Sequence, residues 1–412
     1  MSSFERFIEA AVKRGTLTIV DANGGERHFG TPAPGFPDVR VRMTDNRVAR
    51  DIALSPDTGA GEAYMTGRLI IERGDILDLI RLGGLNRPWE SRQSFIEGAA
   101  SRRFLREIGG RIERFNGQRR SKKNVAHHYD LGDRLYDLFL DIDRQYSCAY
   151  FTDADRGLDE AQVDKKAHIA AKLLIRPGDT ILDIGCGWGG MALSLAKVAP
   201  DVRVTGITLS EEQLKTARER AATAGLADRV TFQLIDYRTM TGQFDRIVSV
   251  GMFEHVGPPA YRAFFGKCAG LLSDDGVMLL HTIGRMGGPG VTDKWTAKYI
   301  FPGGYSPALS EIVRAHEDSG VLCTDIEVLR VHYSLTLKHW YDRTVAARDS
   351  IIALYDENFY RMWQFYLAGA CVAFDTGSLC NYQLQYTRNR RAVPLTRDYM
   401  AGEADLRTAM QV

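Results

Sequence analysis

The chain has 412 residues and a formal net charge of +1, with 44% hydrophobic and 25% charged residues. This composition is ordinary for a soluble globular protein of two or three domains, and the near-neutral charge argues against a nucleic-acid partner. No apolar run approaches the roughly 20 residues that cross a bilayer, and residues 1–11 lack the basic start of a signal peptide. We therefore expect a cytoplasmic protein.

Residues 1–110 predict a small α+β domain. Short helical and strand patterns alternate there with glycine and proline breaks, and no catalytic constellation appears in residues 1–105. Two interpretations stay open, a packing or dimerisation domain and a lipid- or partner-binding module. A linker is predicted over residues 111–123, within a stretch from 102 to 123 that carries nine basic side chains. Such a stretch fits a solvated surface, and it also fits anionic lipid headgroups at about 1 kcal/mol per basic side chain.

A third segment, residues 124–412, is predicted to be the catalytic domain, and its central feature is the stretch 180–190. Ile181, Leu182 and Ile184 are typical of a buried parallel strand, four glycines follow between 185 and 190, and a helical pattern begins at Met191. A strand, a glycine turn and a helix form the nucleotide-binding corner of a doubly wound α/β sheet. The spacing fits both the dinucleotide pattern and the S-adenosylmethionine pattern.

Four further strands are predicted at 202–209, 230–235, 244–250 and 277–280. Ligands bind beyond the carboxyl ends of the strands in such sheets. The polar residues at or near those ends are Asp183, Thr208, Asp236, Glu254 and His281. We expect these five side chains to converge on one crevice.

The cofactor follows from two of these positions. A dinucleotide site needs an acidic residue at the end of the second strand, and this chain has Thr208 there. Asp183 would repel a pyrophosphate, whereas it suits the amino and sulfonium groups of S-adenosylmethionine. The residues therefore favour S-adenosylmethionine over NAD, with Asp236 accepting from the adenine amino group.

A series of motifs from about 124 to 388 resembles the cyclopropane-fatty-acyl-phospholipid synthase family. The motifs are NVAHHYDLG, YSCAYF, LDIGCGWGG, MFEHVG, LHTIG, KYIFPGG and TLKHWYDR, in that order. The resemblance implies a class I methyltransferase fold, a Rossmann-like doubly wound sheet with helical insertions that form the lipid site. It also implies methylene transfer from S-adenosyl-L-methionine to a cis double bond of a phospholipid acyl chain. A carbocation formed in that reaction must lose a proton, and the family is understood to hold bicarbonate as the base.

The resemblance also implies site residues. The bicarbonate cage falls on Cys148, Glu254, His281, the backbone of Ile283, and Tyr333. The cofactor set is Tyr146, Ser147, Asp183, Gly185, Cys186, Gly187, Gly189, Thr208, Gln213, Asp236 and Tyr237. Cys371 lies in the family motif YLAGACVAF, but the helix is apolar and disfavours a thiolate, so we expect a packing role. The six cysteines have no C-x-x-C pair and no metal-ligand spacing, which predicts free thiols and no metal.

The implied partners are an unsaturated phospholipid, the inner face of a membrane, to which the protein would bind peripherally, and a second copy of the chain in a homodimer. Three alternatives stay open. One is a lipid C-methyltransferase that gives methyl- or methylene-branched acyl chains, another is a non-catalytic lipid-binding protein, and the last is a small-molecule N-methyltransferase. The intact glycines and the intact cage argue against the non-catalytic interpretation.

Overall fold

The computed structural model describes residues 3–55, 58–91 and 132–411. The predicted basic linker and the NVAHHY motif at 124–129 lie outside these residues. The chain divides into two compact units. The first unit comprises Met1–Arg106, Thr292–Pro302 and Leu337–Ser378, and the second comprises Glu107–Val291, Gly303–Thr336 and Leu379–Val412. The functional division into residues 1–110 and 124–412 stays a prediction.

The first unit contains the small α+β fold that the sequence predicted. Its described strands are β1 (Gly15–Val20), β2 (Glu26–Thr31), β3 (Asp38–Met43) and β4 (Leu69–Arg73), in the order β2-β1-β3-β4. Strand β1 is antiparallel to β2 and parallel to β3, and β3 is antiparallel to β4. Four helices accompany these strands: α1 (Ser3–Ala11) before β1, α2 (Arg47–Leu54) and α3 (Gly59–Met65) between β3 and β4, and α4 (Ile76–Asn86) after β4.

Helices from later in the chain complete the first unit. They are α10 (Lys294–Tyr299), α13 (Arg348–Leu354), α14 (Glu357–Asp375) and the part of α12 (His332–Ala346) that begins at Leu337. Helix α14 packs on α3 and α4, where the Tyr64 hydroxyl donates to Gln364 Oε1 at 2.6 Å. Across the described ranges, every helix is too short or too polar to cross a membrane.

The second unit is built on a mixed sheet. The described strands are β5 (Thr180–Ile184), β6 (Arg203–Thr208), β7 (Val230–Leu234), β8 (Phe244–Val250), β9 (Leu272–Arg285), β10 (Leu322–Leu329) and β11 (Leu379–Thr387), in the order β10-β11-β9-β8-β5-β6-β7. Strands β5 to β9 are parallel, and β11 is antiparallel to both β9 and β10. The chain runs outward from β5 to β7 and then returns to β8 on the other side. The crevice between β5 and β8 is therefore the switch point where such sheets bind ligands.

Alternate residues of the central strands form two cores, one on each face of this sheet. Leu182, Ile247 and Leu280 belong to one core, whereas their neighbours Ile181, Val248 and Leu279 belong to the other. Near-continuous apolar strands of this kind need helices on both faces. The described helices of this unit are α5 (Asp133–Phe139), α6 (Leu158–Leu173), α7 (Gly190–Leu195), α8 (Glu211–Thr223), α9 (Tyr261–Leu271), α11 (Leu309–His316) and α15 (Glu403–Met410). The predicted doubly wound sheet is confirmed.

Candidate active site

A cleft of about 1110 Å³, which includes space open to solvent, lies at the carboxyl ends of β5 and β8. Ten of the eleven predicted cofactor residues line it, namely Tyr146, Ser147, Asp183, Gly185, Cys186, Gly187, Thr208, Gln213, Asp236 and Tyr237. Gly189 is outside the lining and is the N-cap of α7, with φ +86°. The structure thus gathers the predicted set from five separate segments of the chain.

The glycine turn after β5 has a conformation that only glycine adopts without strain. Gly185 has φ +87°, and a Cβ added there would lie 2.9 Å from the Met252 Cβ. Gly189 would place its Cβ 2.7 Å from the Phe232 ring. Both the backbone conformation and the close approach of neighbouring side chains therefore require glycine.

Asp183 places a buried carboxyl group in the lining of this cleft. Its side chain is 2% exposed, and its Oδ2 is buried with no hydrogen-bond partner among the described residues. Burial raises the pKa of Asp183 to about 7, and the nearby Lys165 opposes that rise. A buried oxygen without a donor is costly unless a ligand supplies one. The site therefore fits a ligand that carries a cationic or N–H group at this point, as S-adenosylmethionine does.

Hydrogen bonds preset the two other strand ends. The Thr208 hydroxyl donates to Gln213 Oε1 at 3.0 Å, and the Gln213 N–H donates to the N-cap Ser210 at 3.3 Å. Asp236 accepts from both the backbone N–H and the Nε of Arg238, at 3.0 and 2.9 Å. Contacts within the protein thus fix polar groups at the ends of β6 and β7.

Glu254 and His281 are not in the lining of this cleft, which corrects the expectation that all five strand-end residues share one crevice. Glu254 lies in the turn after β8, and its Oε1 accepts from the Ile283 N–H at 2.6 Å. Its Oε2 is buried and lacks a partner among the described residues. Burial raises the pKa of Glu254 to about 7, against the stabilising Ile283 bond.

His281 lies two residues before Ile283 on β9 and is 1% exposed. Its Nδ1 is 3.1 Å from Gln383 Nε2, and its Nε2 is 3.3 Å from Asn381 Nδ2. Burial, with smaller contributions from Lys165 and Lys172, lowers the pKa of His281 to about 3. His281 is therefore a neutral imidazole at physiological pH.

Cys148 and Tyr333, the other two predicted cage residues, are linked through their neighbours. The Cys148 thiol donates to its neighbour's carbonyl, Ala149 O, at 3.3 Å. The Ala149 N–H donates at 3.0 Å to Thr336, which lies one turn after Tyr333 on α12. Burial raises the pKa of the Cys148 thiol well above its usual range, so it is a donor and not a nucleophile. Cys371 lies buried on α14 in the first unit, and all six cysteines are free thiols.

Comparison with known proteins identifies the family. The family model described as mycolic acid cyclopropane synthetase matches residues 116–384. The chain belongs to this family. A protein of Pseudomonas putida named "Probable fatty acid methyltransferase" is 37% identical over 377 residues, which is 88% of this chain and 92% of the relative. The "Cyclopropane-fatty-acyl-phospholipid synthase" of Escherichia coli strain K12 is 39% identical over 356 residues, 85% of this chain and 88% of the relative.

A solved structure of this family supports the fold. The crystal structure of mycolic acid cyclopropane synthase CmaA1 complexed with SAH and CTAB has a TM-score of 0.61 and 35% identity to this chain. The match covers 64% of this chain and 97% of the CmaA1 chain. This family member is therefore an S-adenosylmethionine-dependent methyltransferase of class I fold. The two longer relatives match much more of the chain than the mycolic acid enzyme does.

The sequence predictions missed the buried lysines of α6, one of which serves the cleft of this methyltransferase. Lys165 is fully buried and donates to Gln145 Oε1 at 2.6 Å and to Ser147 Oγ at 2.9 Å. Gln162, one turn earlier, donates to the carbonyls of Gln145 and Ser147 at 3.1 and 3.0 Å. Helix α6 therefore holds the segment that carries Tyr146 and Ser147 in the cleft.

A signal for this role is present in the sequence. Gln162, Lys165 and Lys172 recur at spacings of three and seven, so they share one face of α6 with Ile169. A polar stripe usually faces solvent, and Ile169 within it is the one feature here that favours burial. Burial lowers the pKa of Lys165 to about 8.

Proposed function

We propose that this protein transfers a methylene group from S-adenosyl-L-methionine to the cis double bond of an unsaturated phospholipid acyl chain and closes a cyclopropane ring. The observation that carries the proposal is that two buried titratable side chains, Glu254 and His281, lie outside the lining of the cofactor cleft. Glu254 accepts a hydrogen bond from the backbone of Ile283 on β9, and the neutral His281 lies two residues earlier on the same strand. The 39% identity to the phospholipid synthase of Escherichia coli over 85% of the chain supports the choice of substrate.

The chemistry explains why a separate base is needed. The alkene electrons form a bond to the methyl carbon of the cofactor, the C–S electrons stay on sulfur, and one proton must leave that carbon before the second C–C bond closes the ring. Water in the site would capture the cation that precedes ring closure. Glu254 is 8% exposed and His281 is 1% exposed, so the surroundings of the base exclude water.

We propose further that bicarbonate is this base. Cys148, His281 and Tyr333 are buried, and their thiol, imidazole and phenol would donate to the anion, the Cys148 thiol in place of its bond to the Ala149 carbonyl. The unpartnered Glu254 Oε2 would accept the bicarbonate hydroxyl proton, which leaves the other oxygens of the ion more basic. The Ile283 N–H would be shared with Glu254 Oε1, to which it already donates.

Lipid analysis in a bacterial host that lacks cyclopropane lipids tests the proposal. Expression should add the mass of one methylene to unsaturated phospholipids, and proton NMR should show upfield cyclopropyl signals with loss of vinyl signals. The Glu254→Gln variant at equal expression is the matched control. Unchanged unsaturated lipids with wild-type protein and adequate cofactor would refute the reaction. The bicarbonate step is tested separately, because activity should fall in CO2-free buffer and return when bicarbonate is added.

A second candidate reaction gives methyl- or methylene-branched acyl chains from the same first step. The relative from Pseudomonas putida, named as a fatty acid methyltransferase with no mention of a ring, favours it. Mass alone does not separate the methylene-branched isomer from the ring. Upfield cyclopropyl protons identify the ring, whereas new olefinic or branched-methyl signals identify the alternative.

A phospholipid substrate also requires contact with a membrane. We propose peripheral binding at the inner face of the membrane and a homodimer in solution. Co-flotation with vesicles that contain unsaturated phosphatidylglycerol tests the first, and sedimentation equilibrium tests the second. Protein that stays at the bottom of the gradient, or that sediments as a monomer at micromolar concentration, would contradict the respective proposal.

A further inference from the structure

A buried chain of side chains leads from the edge of the second unit's sheet to His281. Glu327 on β10 pairs with Lys172 on α6. The Lys172 ammonium donates to Gln383 Oε1 at 2.8 Å, and Gln383 Nε2 lies 3.1 Å from His281 Nδ1. Lys172, Gln383 and His281 are each at most 1% exposed, so water does not compete for these contacts.

The direction of each hydrogen bond in this chain follows from one constraint. An ammonium group has donors and no acceptor, so the Gln383 atom that faces Lys172 must be the amide oxygen. The amide nitrogen of Gln383 then faces His281 Nδ1 and donates to it. A nitrogen that accepts a hydrogen bond carries a lone pair and no proton. The proton of the neutral His281 ring is therefore on Nε2.

Lys172 pairs with the Glu327 side chain, and burial keeps His281 neutral. Burial lowers the pKa of Lys172, and the Glu327 carboxylate opposes that change. Burial raises the pKa of Glu327, but His168 and Lys172 outweigh that effect and lower the pKa to about 2. The side chain that pairs with Lys172 is therefore an ionised carboxylate. The charged or titratable groups that act on His281 are Lys165, Lys172, Glu327 and His168.

The Asn381 amide is compatible with the same tautomer once it is turned. Its Nδ2 lies 3.3 Å from His281 Nε2, and its Oδ1 is buried without a partner among the described residues. Two N–H groups cannot satisfy each other. Turning the Asn381 amide by half a revolution brings Oδ1 to Nε2–H, which gives that oxygen the donor it lacks.

We propose that Lys172 and Gln383 are positioning residues that hold His281 in its Nε2–H tautomer, and that the anion of the predicted cage takes this N–H in place of the Asn381 amide. The use of that donor rests on the proposed function, whereas the tautomer does not. The opposite tautomer would turn a lone pair toward the anion and weaken its binding. In Ser-His-Asp enzymes the wrong histidine tautomer is as harmful as loss of a catalytic group, with a rate loss of about 10⁴-fold.

The tautomer is measured directly by two-bond ¹H–¹⁵N correlation NMR on the full-length protein labelled at histidine, with the His281 signals assigned from His281→Gln. Wild-type protein should show the Nε2–H pattern. The Gln383→Glu variant replaces the donor with a second acceptor, which still pairs with Lys172, so the proton should move to Nδ1. Wild-type protein in the Nδ1–H form, or an unchanged tautomer in Gln383→Glu, would overturn the proposal.

Gln385 offers the matched control. It lies two residues along the same face of β11, is equally buried, and donates to the Lys172 carbonyl at 2.5 Å, with no contact to His281. Gln385→Glu should keep the Nε2–H pattern. If Gln383→Glu does not fold, the wild-type spectrum and the Lys172→Met variant still test the tautomer. Lys172→Met removes the ammonium that orients the Gln383 amide, so the amide can turn and a mixture of tautomers should appear.

The activity readout separates this inference from the proposed function. Gln383→Glu should raise the bicarbonate concentration needed for half-maximal rate by about a hundredfold or more, the scale on which misoriented histidines lose function. The affinity for S-adenosylmethionine should stay within twofold. A shifted tautomer with unchanged bicarbonate dependence would refute the link to the anion. An inactive wild-type protein with the expected tautomer would refute the proposed function alone.

Discussion

The Ile283 N–H donates to Glu254 Oε1 at 2.6 Å, and the second oxygen of that carboxylate is buried without a partner among the described residues. One oxygen thus fixes the side chain to β9, and the other is buried. Burial raises the pKa of this carboxyl to about 7, so its ionisation is sensitive to any ligand placed beside it. These properties suit a group that holds another base in position.

Glu254→Gln should therefore abolish turnover and spare cofactor binding. Glutamine keeps the shape and the acceptor for Ile283 but presents an N–H₂ group where Oε2 lies. We expect a rate loss of at least about 10²-fold, as for removal of one preorganised hydrogen-bonding group, measured by lipid mass spectrometry. Calorimetric affinity for S-adenosylmethionine should change less than twofold, because Glu254 is outside the cleft lining. Glu317→Gln on the surface is the control, and a parallel loss of rate and affinity would disprove the separation.

Most of the predicted cofactor residues line one cleft, and those at the strand ends could be located from local sequence patterns. The glycine turn follows β5 directly, Thr208 ends β6, and Asp236 comes two residues after β7. The His281 environment was out of reach, since His281 and Gln383 are 102 residues apart and meet because β11 pairs with β9. The sequence around Gln383 does not indicate that a histidine will lie opposite it on the next strand. That pairing depends on sheet order, which periodicity does not determine.

The affinity for S-adenosylmethionine should increase with pH through about 7. Asp183 pairs with a cationic ligand only when ionised, and its pKa of about 7 means that the carboxylate forms above that pH. Calorimetric titrations between pH 6 and pH 8 should show tighter binding on the alkaline side. Asp183→Asn should remove this dependence and cost about 2–5 kcal/mol of binding free energy at pH 8, typical for loss of one partner of a buried charged pair. An unchanged pH slope in Asp183→Asn would assign the titration to another group.

Lys165→Met should shift that pH dependence to higher pH. The ammonium of Lys165 lowers the pKa of Asp183 against the effect of burial, so its removal makes the carboxyl harder to ionise. The same change removes the donors to Gln145 and Ser147, so binding should weaken at every pH. Lys215→Met, at an exposed position on α8, controls for loss of a positive charge. A weaker affinity with an unmoved midpoint would mean that Lys165 acts only by holding the 145–147 segment.

Gly185→Ala and Gly178→Ala together separate backbone strain from close packing. Both glycines have positive φ, +87° and +79°, so alanine should cost about 1–2 kcal/mol of unfolding free energy at either position. At Gly178 the added Cβ meets nothing within 4 Å, whereas at Gly185 it lies 2.9 Å from the Met252 Cβ. Urea denaturation should show a larger loss for Gly185→Ala, and only that variant should lose affinity for S-adenosylmethionine, because Gly185 and Met252 both line the cleft. Equal losses of stability would show that the Met252 contact relaxes at no cost, and intact binding in Gly185→Ala would remove this turn from the cofactor site.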